Sequence, residues 1–280
     1  MSLDRFLDFA RAHGLILDRV IADGKIHRVG TLDKPRSDNG RYKIVGEFGW
    51  IMDMVDREAI WFKPDNMTAE QTKKFRLAKD KDSSEQEQRY RDAAYQAQQV
   101  IQRCKFDHHP YFAKKNLHGT QGLVDPQDGR LVVPMRHWRT LEIQTLQWID
   151  AEGDKRFLTD GKARDAVFSM GPQMADAVAV EGFATGHSVL AALKSLYQQR
   201  RVVVCFSAHN LKTVAPLLGP GTLVVADNDK PDRNGRQAGQ EAAQASGRPW
   251  VVPPDEGTDA NDLASASGLK ALADLLRKLL

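Results

Sequence analysis

Apolar positions change period along the chain, and each change marks a different kind of element. Leu3, Phe6, Leu7, Phe9 and Ala10 recur at helical spacing and stop before Gly14, which predicts a helix over 3–14. From Leu15 to Phe62 the period shortens to about two: IADGKIHRVG, RYKIVGEFGWIMDMV and AIWFKP alternate between Asp-Gly, Asn-Gly and Gly punctuation. A small, mainly antiparallel sheet is expected there. Residues 66–105 are polar and helical, with Thr68 and Gln71 spaced as a capping box. A break is expected near Asp82-Ser83-Ser84, and the stripe Ala93, Ala94, Ala97, Val100 and Ile101 is expected to pack on its own domain. LVVPMR, LEIQTLQWI and KRFLTDG then read as strands, with Asp128-Gly129 and Glu152-Gly153 as turns.

The last hundred residues alternate strands at 177–181, 201–207, 222–227 and 249–253 with helices at about 184–198, 209–218, 234–246 and 261–279. This is a doubly wound α/β pattern, in which working residues sit beyond the carboxyl ends of the strands. Glu181 with Gly182 and the run Asp227-Asn228-Asp229 fall there. Three acids at one sheet edge repel one another unless a cation lies between them, so they are read as a metal site. Asp80-Lys81-Asp82 has the same spacing inside a polar segment and is read as a solvated face. The competing reading of the three acids is that they cap the following helices.

Around them, Thr185, His187 and Ser188 occupy the first turn after Gly182, where free amides hold anions. Ser207, His209 and Asn210 follow the second strand; Ser207 and His209 are too close in sequence for a hydrolase pair. Lys230 either contacts phosphate or balances charge, Asp259 is placed to join the metal site through water, and Asn261 is expected to cap the last helix. Oxygen-only ligands select magnesium, with manganese as substitute, and such ions serve nucleotidyl and phosphoryl transfer. No Walker loop occurs, which excludes a motor of that type.

Composition narrows this only a little. A formal net charge of +3 over 280 residues neither demands nor excludes a nucleic-acid partner. Cys104 and Cys205 exclude a disulfide framework, and Cys205 in VVVCF reads as core. His108, His109 and His118 beside Cys104 sketch a second metal site, but the spacing is not that of a zinc finger. No apolar stretch approaches a membrane span and the amino terminus has no signal-peptide core, so a cytoplasmic protein without a membrane partner is expected. Phe48, Trp50, Trp61 and Phe62 with Lys25, Arg28, Arg41 and Lys43 form either a stacking surface for single strands or the core of the small sheet. The core reading is favoured, because small sheets need such rings to fold.

VAVEGFATG followed by VVADND resembles the Toprim (topoisomerase–primase) domain, and GFATG, FSAHNL, ADND and DANDL together are similar to primases carried by phages and conjugative plasmids. The Toprim likeness covers about residues 165–280, a weaker one reaches back to about residue 105, and the first hundred residues match only loosely. It implies an α/β Toprim fold, doubly wound with a mainly parallel sheet, over 173–280. Before it come a small α+β basic subdomain over 106–172, a connecting helix over 66–105 and an N-terminal α+β module over 1–65. That module stands where replicative primases carry a zinc domain, but it has no paired cysteines.

Pro-Tyr-Phe with Lys114 and Lys115 is similar to the segment that opens the catalytic core of these primases. Arg136 in PMR, Gln144, Lys155, Arg156 and Lys162 follow the order of positions that line their groove for template and nucleotide phosphates. His209 departs from the family, which usually has a small residue there. The resemblance implies a magnesium-dependent DNA primase that makes short RNA primers on single-stranded DNA from ribonucleoside triphosphates, with a replicative helicase as a partner. Asp227 and Asp229 would hold a metal, and Glu181 would bind metal or assist deprotonation of the attacking 3′-hydroxyl. Asp259 would join through water, and Arg136, Lys155, Arg156, Lys162 and Lys230 would hold nucleotide and template. A Toprim nuclease and a non-catalytic DNA-binding or partner-recruiting protein are the alternatives.

Overall fold

Phe6 and Ala10 bury one face of the first helix, α1 (Leu3–Ala12), which stops ahead of Gly14 at φ 83°. The structure is a computed structural model and describes residues 3–32, 35–36, 38–53, 59–63, 66–232 and 235–280. The end of the expected strand at Met54-Val55, the boundary expected at residue 65 and the expected helix start at residue 234 lie outside these. The chain forms two compact units, Met1–Gln88 and Arg89–Leu280.

In the first unit, β1 (Leu15–Ile16), β2 (His27–Thr31), β3 (Gly40–Val45), β4 (Phe48–Asp53) and β5 (Ala59–Phe62) pair in sequence order, all antiparallel. Alternation along the strands divides the side chains between two faces. Tyr42, Ile44 and Ile51 meet Phe6 and Ala10 of α1. A Cβ at Gly49 would stand 2.6 Å from the Phe6 ring, so the helix approaches closely only because glycine is there. On the other face, Lys43 is paired in register with Trp50, and Trp50 with Trp61.

The helix α2 (Ala69–Arg103) lies over this second face. Its start is the expected capping box: the Thr68 amide donates to Gln71 Oε1 at 3.0 Å and the Gln71 amide to Thr68 Oγ1 at 3.2 Å. Two expectations are corrected here. The helix runs unbroken through Ser83-Ser84 for 35 residues. Asp82 is not a solvated acid, because it accepts from Lys43 Nζ at 2.6 Å and Trp50 Nε1 at 2.9 Å. A low-propensity serine pair is a weak signal, and this anchor outweighs it. Phe48 and Trp61 pack edge-on against Phe75, and Phe62 against Phe6 and Phe9, so the rings are core. Asp82→Ala leaves the buried Lys43 ammonium with Glu85 alone and should destabilise this unit by roughly 3 kcal/mol, measured by Trp fluorescence in urea.

In the second unit, Ala93, Ala97 and Val100 of α2 pack on Val132, Leu146 and Leu158, as the stripe predicts. The chain continues through β6 (Lys105–Asp107), α3 (Pro110–Lys114), β7 (Gly122–Val124), β8 (Leu131–His137), β9 (Ile143–Ile149), β10 (Lys155–Phe157) and β11 (Ala166–Met170). Then follow β12 (Ala177–Val180), α4 (Phe183–Ser195), β13 (Arg201–Val204), α5 (Ala208–Val214) and β14 (Leu223–Val225). The chain closes with α6 (Ala238–Ala245), β15 (Trp250–Val251) and α7 (Ala260–Leu276).

One ten-stranded mixed sheet runs β10-β9-β8-β11-β13-β12-β14-β15, with β7 also on β8 and β6 on β7. Its last four strands are parallel. Strand β11 is antiparallel to both β8 and β13 and joins the two halves. Helices cover both faces of the parallel part. Val178, Val180, Val202 and Val204 face the side of α4 and α7, whereas Ala177, Ala179, Val203 and Val224 face α5 and α6. Among the described residues no helix is long and apolar enough to cross a membrane.

Candidate active site

The carboxyl ends of β12 and β14 lie side by side, so Glu181 and Asp227 leave the sheet at the same edge. Gly182 follows Glu181 as the residue preceding α4, with φ −92° and ψ 149° and no side-chain cap. The Glu181 carboxylate accepts from the Ala208 amide at the start of α5. Asn228, between the two aspartates, is a clamp: its amide donates to Thr258 O at 3.0 Å and its Nδ2 to Pro253 O at 2.9 Å. Its Oδ1 accepts from Gln240 Nε2 at 2.9 Å. Asp229 Oδ2 accepts from the Gly239 amide at 2.8 Å in the first turn of α6.

Asp259 caps α7, accepting from the amides of Asn261 at 2.7 Å and Asp262 at 2.9 Å, while Asp262 accepts in return from the Asp259 amide. The cap expected at Asn261 is therefore Asp259, because an acid at that position satisfies more free amides. Of the three acids, the competing cap reading fits Asp229; Glu181 meets the first amide of α5 and not of α4, the helix that follows it, and Asp227 is left unexplained.

Electrostatics tie the four acids together. Burial, and then the charge of Asp229, push Glu181 up to about 7. Asp227 is pushed up to about 8 by burial, then by Glu181, Asp259 and Asp229. Among the described residues, its Oδ1 is buried without a hydrogen-bond partner. Such an atom is costly unless something meets it. No three His, Cys, Asp or Glu side chains among the described residues converge tightly enough to cage an ion by themselves. The donor chemistry nevertheless fits a hard divalent cation: oxygen atoms only, mutually repelling, one of them unsatisfied.

Of the cations expected from the sequence, Lys155 is the one whose charge registers on both Glu181 and Asp227. Although exposed at the surface, it is crowded enough that desolvation lowers its pKa. Lys115 lowers it further, and Asp259, Asp227 and Glu181 oppose. Lys115 is a site residue that the sequence reading left out of its cation set. Tyr111, buried on α3, also faces this region: burial and the charge of Asp259 push its hydroxyl up.

Arg156 departs from expectation. In β10, Lys155 stands opposite Ile149 and Arg156 opposite Trp148. Neighbouring strand residues point to opposite faces, so Arg156 lies on the α2 side with Trp148 and Val132, away from Lys155. Lys162 is not turned to the acids either; its Nζ stands 5.7 Å over the Tyr90 ring of α2. Arg136 Nη1 donates to Leu141 O at 2.9 Å. Lys230 is exposed and its aliphatic stem lies against Gly257. The histidine metal sketch fails. His109 caps α3 by accepting from the Tyr111 amide, and Cys104 donates to Val100 O with its thiol pushed up by burial to about 11. Asn210 donates to the carbonyls of Ala163, Ala166 and Cys205 and pins the 163–166 turn.

Acids at the ends of neighbouring parallel strands, between helices on both faces, agree with what comparison of the sequence gives. Residues 176–270 match the Toprim domain family. The DNA primase TraC of Escherichia coli is 25% identical over 286 residues, which cover 89% of this chain. The chain spans 26% of that protein's length. Solved structures similar to the chain include primase domains of bacteriophage T7 gp4, bound to an RNA/DNA hybrid and dTTP with the lagging-strand polymerase. These are 13% identical with a TM-score of 0.42, over 62% of this chain and 92% of that one. The primase fragment of the bacteriophage T7 primase-helicase protein is 14% identical with a TM-score of 0.40, over 60% of this chain and 69% of that one. The Aquifex aeolicus primase, in its zinc-binding and RNA polymerase domains, is 14% identical with a TM-score of 0.38, over 64% and 44%. The Toprim match contains Glu181, Asp227, Asp229 and Asp259; Lys115 and Lys155 lie before it.

Proposed function

We propose that the chain is a DNA primase that joins ribonucleotides into short primers on single-stranded DNA by divalent-metal-dependent nucleotidyl transfer. The observation that carries this reading is the pair Glu181 and Asp227 at the ends of adjacent Toprim strands, with the Glu181 charge helping to hold up the Asp227 pKa and the Lys155 charge acting on both. The likeness to the plasmid-type primase over 89% of the chain supports it.

Asp227 and Asp229 would hold magnesium or manganese, with Glu181 beside them and Asp259 reaching the ion through water. The ion, when bound, supplies charge that steadies the attacking and leaving oxygens. Glu181, at the end of the strand beside them, would take up the proton of the attacking 3′-hydroxyl. Lys155 and Lys115 meet phosphate charge that the acids cannot neutralise. Asn228 keeps the two aspartates in register. A replicative helicase is the proposed protein partner.

Incubation with single-stranded DNA, labelled ribonucleotides and magnesium, followed by sizing of the products, tests the reading. Products of several nucleotides that depend on template and magnesium are expected. Shortened template without new product would point to a nuclease and overturn it, and complete inactivity would point to a non-catalytic protein.

A further inference from the structure

The late DAND stretch holds a residue with no part in the chemistry so far. Asn261 sits in the first turn of α7 with 2% of its surface exposed. Its Nδ2 donates to Lys115 O at 2.8 Å and to Ser188 Oγ at 3.0 Å. These partners lie 146 and 73 residues away along the chain. Lys115 closes α3, and Asn116 after it has φ 52°, so helical hydrogen bonding has ended there and the Lys115 carbonyl needs an outside donor.

One buried amide therefore ties together the helix capped by Asp259, the helix that follows Glu181 and the short segment that carries Tyr111 and Lys115. An apolar side chain could fill the space, but only a donor can hold the Lys115 carbonyl and so fix the segment's height against α7. The carbonyl it holds belongs to the same residue whose ammonium acts on Lys155, on which Asp259, Asp227 and Glu181 also act.

We propose that Asn261 is a positioning residue that sets the 110–115 segment, and with it Lys115, against the carboxylate cluster, so that incoming nucleotide meets a fixed cation. Its substrate rests on the primase reading, whereas the positioning itself is readable without it. The full chain is compared with Asn261→Ala, Lys115→Ala, the double variant and Ser188→Ala, after thermal melting has confirmed that each is folded. In primer synthesis, Asn261→Ala is expected to raise KM for ribonucleotide about tenfold with kcat changed less than about threefold, as for one lost buried hydrogen-bonding group. In the Lys115→Ala background the same change should add less than about twofold, because the residue it positions is gone. Ser188→Ala, which keeps the Lys115 link, should leave KM within about twofold.

Equal factors in both backgrounds, or an equal effect from Ser188→Ala, would assign Asn261 to plain packing and overturn the inference. Hydrogen exchange decides independently of activity. Asn261→Ala should speed exchange of the amides of residues 111–117 at least about tenfold while leaving β12–β14 unchanged. Unchanged exchange there overturns the positioning role even if primers are made. A wild-type chain that makes no primers sinks the functional reading instead.

Discussion

Asp227→Asn should abolish magnesium-dependent primer synthesis, by at least a factor on the order of a thousand, and leave the chain folded. The loss is expected in kcat, because the amide keeps the shape of the side chain while removing the charge on the atom that no group among the described residues satisfies. Folding should survive because the loop around Asp227 is held by Asn228, through Thr258, Pro253 and Gln240, and not by Asp227 itself. Glu181→Gln should lower the rate comparably, because an amide cannot take up the proton of the attacking hydroxyl. Asp229→Asn should act more weakly on folding than on rate, since an asparagine oxygen can still accept from the Gly239 amide. Radiolabelled primer yields with circular dichroism as the folding control measure all three. Equal yields from wild type and Asp227→Asn would remove the metal assignment.

The second large effect is on stability. Glu181 and Asp227 have folded-state pKa values raised to about 7 and about 8, above their unfolded values of 4.5 and 3.8. Between those limits the folded chain binds more protons than the unfolded one, so its stability falls as pH rises. With chelator present, the melting temperature of the Arg89–Leu280 unit is expected to be highest near about pH 4 to 5 and to fall by several degrees toward about pH 9, other groups being equal. Magnesium should reverse the fall, because a cation replaces the protons that the crowded carboxylates otherwise recruit. Asp227→Asn should do the same without metal, melting above the wild type at about pH 8. A wild type whose chelated melting curve rises over that range, or an Asp227→Asn variant that melts lower, would contradict the raised pKa values.

Much of this was legible because a parallel strand announces itself. Ala177–Val180 and Leu223–Val225 are short apolar runs that each end in an acid, and that local pattern located Glu181 and Asp227 without any long-range information. Asp259 was also readable as a cap, since Asp262 stands three residues on, the spacing of a reciprocal box. The period-two rule could equally have separated Lys155 from Arg156.

What escaped the sequence depends on pairs far apart in it. Asp82 reads as solvated until Lys43, 39 residues earlier, is placed against it. Lys162 reads as a groove cation until Tyr90 lies beneath it. Lys115 gains its role only when the fold brings it to Lys155, and Asn261 only when the carbonyl 146 residues away turns toward it. Local chemistry gave the acids; the cations and their supports are tertiary facts.

Strand β11 has a practical consequence for anyone expressing pieces of this chain. A fragment trimmed to the family match, 176–270, would strip β13 of its antiparallel neighbour and leave a raw strand margin open to other molecules. It would also end before Leu272, Ala273, Leu275 and Leu276, all of which are buried. Such a truncation should precipitate or associate, and a soluble product would have to start upstream of β8 and retain the final helix whole.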